Sequence, residues 1–556
     1  MRLSSRIRST FLALYVACFG VLVKAQAGAP TITLDRGVFT GVSMGSTNAF
    51  LGIPFAKPPI GDLRLRLPQA IDPYDGLFNV TAFGNSCILQ NVTASIPFAT
   101  INPLAVPIVE NLLSLFPTVS ESEDCLFVNV FAPANATGRS QLPVMVWIYA
   151  SGFESGSSTV YDGTAYINRS IELDSPVLFV SMNYRCVLLP LGFPGGQEAK
   201  DAKIANLGLH DQRLAMRWVQ RYISAFGGDP AKVTIFGESA GATSVVLHLL
   251  TNDGDTEGLF RAAIVDSNLE LATTDGVPGQ KVFDEFARNA GCGDALRSLA
   301  VFDCLRMTPL DTIRNATDPT PGVLSYNWGS VGWRPFVDGV FLTAPPMRLI
   351  SQGRVADVPF IIGDAEDEGT MLSVSSTNVT TDGELRSYLL DSALASFNAS
   401  NIELLLELYP SDPAAGSPFD TGEQNALTPE FKRMAALLGD AELHAPRRLL
   451  LQQQSGKQNA YSYLYSRGKN TPYLGSCHGC DLSVVFGPGD LTDVFIRFAA
   501  TLDPNGALEV DWPRYTPSAP RLFRLLDGDV PFEIVNDTFR VEEIKTLISI
   551  ELGISA

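Results

Sequence analysis

The stretch Phe236-Gly237-Glu238-Ser239-Ala240-Gly241 decides the reading of this chain. It has the form G-x-S-x-G. The strand-like run Val233-Thr234-Ile235-Phe236 leads into it, and the helix-like run from Ala242 to Leu250 leads out. A tight strand-to-helix turn of this kind lifts a serine hydroxyl clear of a sheet, and its glycines let neighbouring backbone pass close by. The serine then sits at a helix N-terminus, where free N–H groups and the helix dipole favour developing negative charge. The same pattern recurs at Gly41-Val42-Ser43-Met44-Gly45, but Ser43 lies between short β-like runs with no helix after it, so it reads as turn structure.

β-like and helical runs alternate around Ser239. Strand candidates are Val144–Tyr149, Val177–Tyr184, Val233–Phe236, Ala262–Asp266, Pro359–Gly363 and Ala460–Tyr465. Asp211 to Phe226 reads as an amphipathic helix, with Leu214, Trp218, Val219, Tyr222 and Ile223 on one face and Gly227-Gly228 as its stop. Such alternation implies an α/β fold with a mostly parallel central sheet flanked by helices.

A serine hydroxyl becomes a nucleophile only when a histidine takes its proton and an acid orients that histidine. In the α/β-hydrolase arrangement the chain order is nucleophile, acid, histidine. Histidines occur only at 210, 248, 444 and 478. The first two come too early. His444 ends a helix-like run, whereas His478 lies in a loop after a strand candidate, the favoured place for a catalytic base. For the acid, Asp364, Glu366, Asp367 and Glu368 all follow the strand run Val358–Gly363, and spacing does not choose among them.

Composition sets the class. The 556 residues are 46% hydrophobic and 18% charged, which suits a globular protein with a large core. Arg2, Arg6 and Arg8, the 13-residue apolar run Phe11–Val23 and the small residues Ala25-Gln26-Ala27 read as a signal peptide over residues 1–25. Removing it takes four basic and no acidic residues, and the formal charge falls from −19 to −23. That surface repels nucleic acid and anionic membranes, and no later run is long enough to span a bilayer. Sequons at Asn79, Asn91, Asn135, Asn168, Asn315, Asn378, Asn398 and Asn536 fit a secreted, extracellular glycoprotein. With Cys18 in the signal, seven cysteines remain, so at least one is unpaired within the chain. The spacing Cys477-His478-Gly479-Cys480 could hint at metal, but so few histidines favour a disulfide or free thiols.

Residues 88–120, between Cys87 and Cys125, carry one charge, Glu110. Within them Val106 to Phe116 looks helical. Either it is a buried helix, or the segment (about 88–124) is a lid with an apolar underside over a hydrophobic pocket.

At these residues the chain resembles the type-B carboxylesterase/lipase family, cholinesterase-like α/β-hydrolases with a fungal lipase and sterol esterase branch. The blocks that carry it run in order: Phe50 to Ala56, Glu123 to Val130, Asn183-Tyr184-Arg185, Asp211-Gln212-Arg213, Phe226 to Pro230, the Ser239 elbow, Asp367-Glu368-Gly369-Thr370 and His478 to Leu482. The resemblance implies one α/β-hydrolase catalytic domain over residues 26–556, with Ser239 as nucleophile, Glu368 as acid and His478 as base. It implies oxyanion donors at Ser151, Gly152 and Ala240, and a supporting role for Ser267 behind the acid. It also implies disulfides Cys87–Cys125, clamping the lid loop, and Cys292–Cys304, leaving Cys186, Cys477 and Cys480 over. The chain departs from the family where three glycines usually stand: it reads Ala150-Ser151-Gly152-Phe153, and Ala150 and Ser151 lack glycine's freedom at positive φ. The loop Cys186 to Pro190 is longer than usual. The expected activity is hydrolysis of carboxylic esters through an acyl-enzyme without metal or cofactor. The expected partners are a small ester or lipid substrate and, through the lid, a transient lipid interface. The alternative is a non-catalytic cholinesterase-like binding protein, favoured only by the altered Ala150-Ser151 segment.

Overall fold

The computed structural model describes residues 28–554 except 97, 100, 115–118, 187–190, 270–276, 278 and 331. The signal peptide expected at residues 1–25, the end of the 106–116 run at Phe116 and most of the Cys186–Pro190 loop lie outside the described residues. Eleven strands form one sheet: β1 (Val42–Met44), β2 (Thr47–Pro54), β3 (Phe127–Pro133), β4 (Leu142–Ile148), β5 (Leu178–Met182), β6 (Gly228–Glu238), β7 (Ala262–Asp266), β8 (Phe360–Ala365), β9 (Ala460–Tyr465), β10 (Arg521–Leu525) and β11 (Phe532–Asn536). Their spatial order is β11-β10-β9-β8-β7-β6-β4-β5-β3-β2-β1. The run from β10 to β5 is parallel, and the strands at both margins are antiparallel. Thr31–Leu34, Arg36–Thr40 and Asp75–Asn79 make a separate three-stranded sheet.

The central strands are apolar on both faces because helices cover both: Val144 to Ile148, Leu178 to Met182 and Ala262 to Asp266 are buried throughout. The amphipathic run forms the helix Leu207–Tyr222, four residues earlier than its apolar spacing predicts, with Met216, Trp218, Val219 and Tyr222 buried and Arg217 and Arg221 exposed. A short 3₁₀ turn, Ile223–Phe226, follows, and Gly227 at φ 98° ends it. Arg185 and Asp211, from two of the family blocks, form a buried bidentate ion pair (2.8 Å for both contacts) that ties the segment after β5 to this helix. Ser43 lies on the exposed edge strand β1 rather than in the turn expected for it, and no helix follows it.

Four neighbouring parallel strands are in register where they end. Glu238 of β6 pairs with Asp266 of β7, Asp266 with Gly363 of β8, and Gly363 with Tyr463 of β9. Segments leaving these four C-terminal ends therefore converge on one edge of the sheet, the usual place for a site in an α/β fold. The helix Ala240–Leu250 begins directly after Ser239 and is buried along its whole length. Its first turn passes so close to β4 that a Cβ on Gly241 would run into the carbonyl oxygen of Ile148. Gly241→Ala is expected to lower the thermal unfolding midpoint, at a cost of about 1–3 kcal/mol or more because the obstacle is backbone. Calorimetry beside wild type checks this, and an unchanged midpoint would refute the close approach.

Candidate active site

Ser239 adopts φ 56° and ψ −123°, a strained conformation for a residue with a Cβ. It is held there from both sides: its N–H donates to the Asp266 carbonyl (2.9 Å), and its own carbonyl accepts from Thr243 (2.8 Å). The hydroxyl meets His478, with Ser239 Oγ and His478 Nε2 2.8 Å apart. On the other side of the ring, His478 Nδ1 lies 2.6 Å from Glu368 Oε2. The second oxygen of Glu368 accepts from the Ser267 hydroxyl and the Ala365 N–H, both at 2.7 Å. Ser267, directly after β7, has φ 59° and is fully buried.

The other three carboxylates after β8 are engaged elsewhere. Asp364 binds His444 Nδ1 (2.9 Å) and Arg447 Nε (2.8 Å). Glu366 pairs with Arg524 (2.8 Å) and Lys469 (3.3 Å). Asp367 accepts from Lys469 (2.6 Å), the Ser476 N–H (2.9 Å), Ser417 (3.0 Å) and the Phe419 N–H (2.8 Å), so it secures the loop two residues before His478. Of the other histidines, His444 is bound to Asp364, His248 to Gln212, and His210 is packed edge-on to Phe341. Burial pushes His248 well below its ordinary value, so it stays neutral.

Carboxyls that the sequence reading did not single out cluster near the ring. Glu238, inside the serine motif itself, has an oxygen 3.4 Å from His478 Nε2. Burial pushes Glu238 up to about 8, so it is the uncharged acid at neutral pH. Asp266 and Asp481 are both buried and bear on each other electrostatically, and Tyr463 donates to Asp266 Oδ1 (2.6 Å). Burial, then the charge of Asp481, raises Asp266 well above the carboxylate range, so Asp266 holds its proton at neutral pH. Glu368 differs: burial works against its charge, but His478 and Ser267 outweigh that and hold it below its ordinary value. For His478, burial disfavours the cation, and Glu368 more than offsets it and draws the imidazole above its ordinary value.

Ser239 and His478 open onto a cavity of about 160 Å³. Ser151 and Gly152 also line it, while Leu112, Val323, Leu324, Met371 and Leu482 supply apolar wall. Val323, Leu324 and Met371 carried no motif and became visible only through folding. Ser151 and Gly152 lie just past the end of β4 with φ of 83° and 66°, and Phe153 follows at 64°. Ala240, the third expected donor, opens the helix beside Ser239. The expected Cys87–Cys125 and Cys292–Cys304 bonds are both present. Cys477 and Cys480, left over in the sequence reading, are joined to each other around His478. Cys186 is a buried free thiol that burial pushes up to about 12.

A sequence model described as the carboxylesterase family matches residues 28–531. The chain belongs to the carboxylesterase family. It is 42% identical over 519 residues to Lipase 4 of Diutina rugosa, covering 90% of this chain and 92% of that one. It is 35% identical over 541 residues to a secreted triacylglycerol lipase of Gibberella zeae, with 93% and 90% covered. The structure of EstA from Aspergillus niger superposes with a TM-score of 0.79 at 26% identity, covering 95% of this chain and 99% of EstA. On the family match and these lipase-named relatives, the chain is a carboxylic ester hydrolase. For this member, Asp367→Ala is expected to cost about 3 kcal/mol of stability. It removes the fully buried carboxylate that binds the half-buried Lys469, the Ser476 N–H and the Phe419 N–H, leaves Lys469 only Glu366, and frees the loop that carries His478. Denaturant unfolding beside wild type measures it, and a loss below about 1 kcal/mol would remove Asp367 as the anchor of that loop.

Proposed function

We propose that the protein is a secreted serine esterase of the lipase type, with one catalytic domain over residues 26–556, cleaving esters of apolar acyl chains. The observation that carries this reading is the continuous hydrogen-bonded chain from Ser239 through His478 to Glu368 at the wall of an apolar cavity. His478 takes the Ser239 proton as the hydroxyl attacks the ester carbonyl. Backbone N–H groups of Ser151, Gly152 and Ala240 stabilise the tetrahedral oxyanion, and Glu368 stabilises the imidazolium. The alcohol leaves with that proton, and water activated by His478 then hydrolyses the acyl-enzyme.

The cavity walls support an apolar acyl group, as do relatives named lipase and triacylglycerol lipase. The lid reading has support of its own. The helix Val106–Leu113 buries Val109 and Leu112, and Leu112 reaches the cavity, while Pro107, Glu110 and Asn111 face outward. Leu104, just before it, is 58% exposed, an apolar side chain available to a lipid surface. Secretion is supported by the basic and apolar N-terminus and by a relative named as secreted. Glycosylation fits Asn79, Asn91, Asn135, Asn315, Asn378, Asn398 and Asn536, which are exposed. Asn168 is half-buried, with its amide oxygen accepting from Ser46 and Thr47.

The test is hydrolysis of p-nitrophenyl esters from acetyl to palmitoyl by wild type and Ser239→Ala. Ser239→Ala is expected to abolish turnover at every length while wild-type rates peak at long chains. Turnover by pure Ser239→Ala overturns the nucleophile assignment, and a peak at acetyl overturns the substrate class alone. The pH profile follows from His478. Only its neutral form accepts the serine proton, and Glu368 draws the imidazole upward, so activity is lost as pH falls through a midpoint above about 6.5. Glu368→Gln is expected to move that midpoint to lower pH and to cut kcat roughly 10²- to 10⁴-fold. A midpoint unmoved by this substitution would separate Glu368 from His478.

A further inference from the structure

The turn of Ser151, Gly152 and Phe153 holds three successive residues at positive φ, two of which carry side chains. Each such residue is strained by about 1–2 kcal/mol, so the turn persists only if its surroundings fix it. Within the turn, the N–H groups of Glu154 and Ser155 both donate to the Ser151 carbonyl (3.0 and 3.2 Å). Phe153 stacks edge-on to Phe193, with centroids 4.9 Å apart. Neither contact fixes the side of the turn that faces the cavity.

Glu154 does. Its side chain is fully buried, a rare state for a glutamate with no cation bound to it. Oε2 accepts the N–H of Val323 at 2.8 Å, and Oε1 has no hydrogen-bond partner among the described residues. Val323 in turn lies directly against Gly152: a Cβ there would stand 3.0 Å from the Val323 Cβ. Val323 and Leu324 are also cavity wall. The backbone carbonyl of Glu154 accepts from Gln90 (3.1 Å), and the Gln90 amide reaches the carbonyl of Thr320 (3.1 Å). One residue thus joins the strained turn, the start of the lid segment and the 320–324 wall.

We propose that Glu154 is the positioning residue of the oxyanion hole, acting through the Val323 N–H to seat Val323 against Gly152. This rests on the proposal that Ser151 and Gly152 supply oxyanion donors. Burial pushes the Glu154 carboxyl up to about 8, so it works at neutral pH as an uncharged acceptor. Gln is therefore its conservative replacement, and Met keeps its bulk without the acceptor.

The experiment compares wild type, Glu154→Gln and Glu154→Met at neutral pH. It uses p-nitrophenyl butyrate for kcat and KM, and an alkyl trifluoromethyl ketone, whose hemiketal places an oxyanion in the hole, for inhibition. Glu154→Met is expected to lose roughly 10- to 100-fold in kcat and the same factor in ketone affinity, with KM within about threefold of wild type. Glu154→Gln is expected to stay within about threefold on all three. The inference is overturned if folded Glu154→Met keeps its ketone affinity, or if KM alone changes. It is equally overturned if Glu154→Gln loses tenfold, a result that decides by itself should Glu154→Met not fold. Wild type that does not bind the ketone overturns instead the oxyanion-hole reading beneath it.

Discussion

The site depends on one close approach of backbone to backbone. Gly241 lies in the first turn of the helix Ala240–Leu250, where the Ile148 carbonyl leaves no room for a side chain. That contact presses the helix N-terminus against the end of β4. Ser239, at the mouth of the helix, then faces both Ser151-Gly152, just beyond β4, and Asp266, at the end of β7. The left-handed geometry of Ser239 is the local cost of the arrangement, and the hydrogen bonds from Ser239 to Asp266 and from Thr243 to Ser239 offset it. The strand register does the rest. With Glu238, Asp266, Gly363 and Tyr463 level across four strands, the segments bearing Ser267, Glu368 and His478 leave the sheet within reach of one another.

A second constraint is electrostatic. Four buried carboxyls cluster here: Glu238, Glu368 and Asp481 act on the His478 imidazole, and Asp266 acts on Glu238 and Asp481. Four negative charges in so dry a space would be prohibitive, since desolvation of each costs several kcal/mol. Protonation relieves much of this: Glu238 and Asp266 are held as acids. Glu368 alone has two donors on one oxygen and the imidazole on the other. Glu368 is thus held charged in line with the His478–Ser239 axis, where, in the proposed mechanism, it stabilises the cation formed during proton transfer.

Much of this was legible in the sequence, for physical reasons. Central parallel strands are covered on both faces, so they appear as continuous apolar runs: Ala262–Asp266 and Ala460–Tyr465 were read to the residue. The margins were harder. β10 and β11 carry Arg521, Arg524 and Glu533 on partly exposed faces and show no apolar run. The histidine could be narrowed by chain order, but the acid could not, because Asp364, Glu366, Asp367 and Glu368 differ only in partners that are distant in sequence. Arg447, Lys469 and Arg524 claim three of them, and only the fold reveals which. Only the family resemblance picked out Glu368. The Cys477-His478-Gly479-Cys480 spacing left a disulfide and free thiols both open, and the cavity walls at Val323, Leu324 and Met371 carried no spacing signal at all.

The Ala150-Ser151 departure acquires a different meaning in three dimensions. A glycine at 151 would reach φ 83° freely, whereas serine pays in strain, and the surrounding structure must supply what the backbone no longer grants. That supply is visible on each side: the doubled bond to the Ser151 carbonyl, the Phe153–Phe193 contact, and the buried Glu154 that seats Val323 against Gly152. A turn made of glycines can be flexible in the free protein and ordered by its substrate. One that places a serine and a phenylalanine at positive φ is ordered beforehand, by packing, and donors fixed before the charge develops need no reorganisation as it forms. The substitution that looks like damage in the sequence is thus consistent with a preorganised site, its rigidity borrowed from the segment at Gln90 and from the cavity wall.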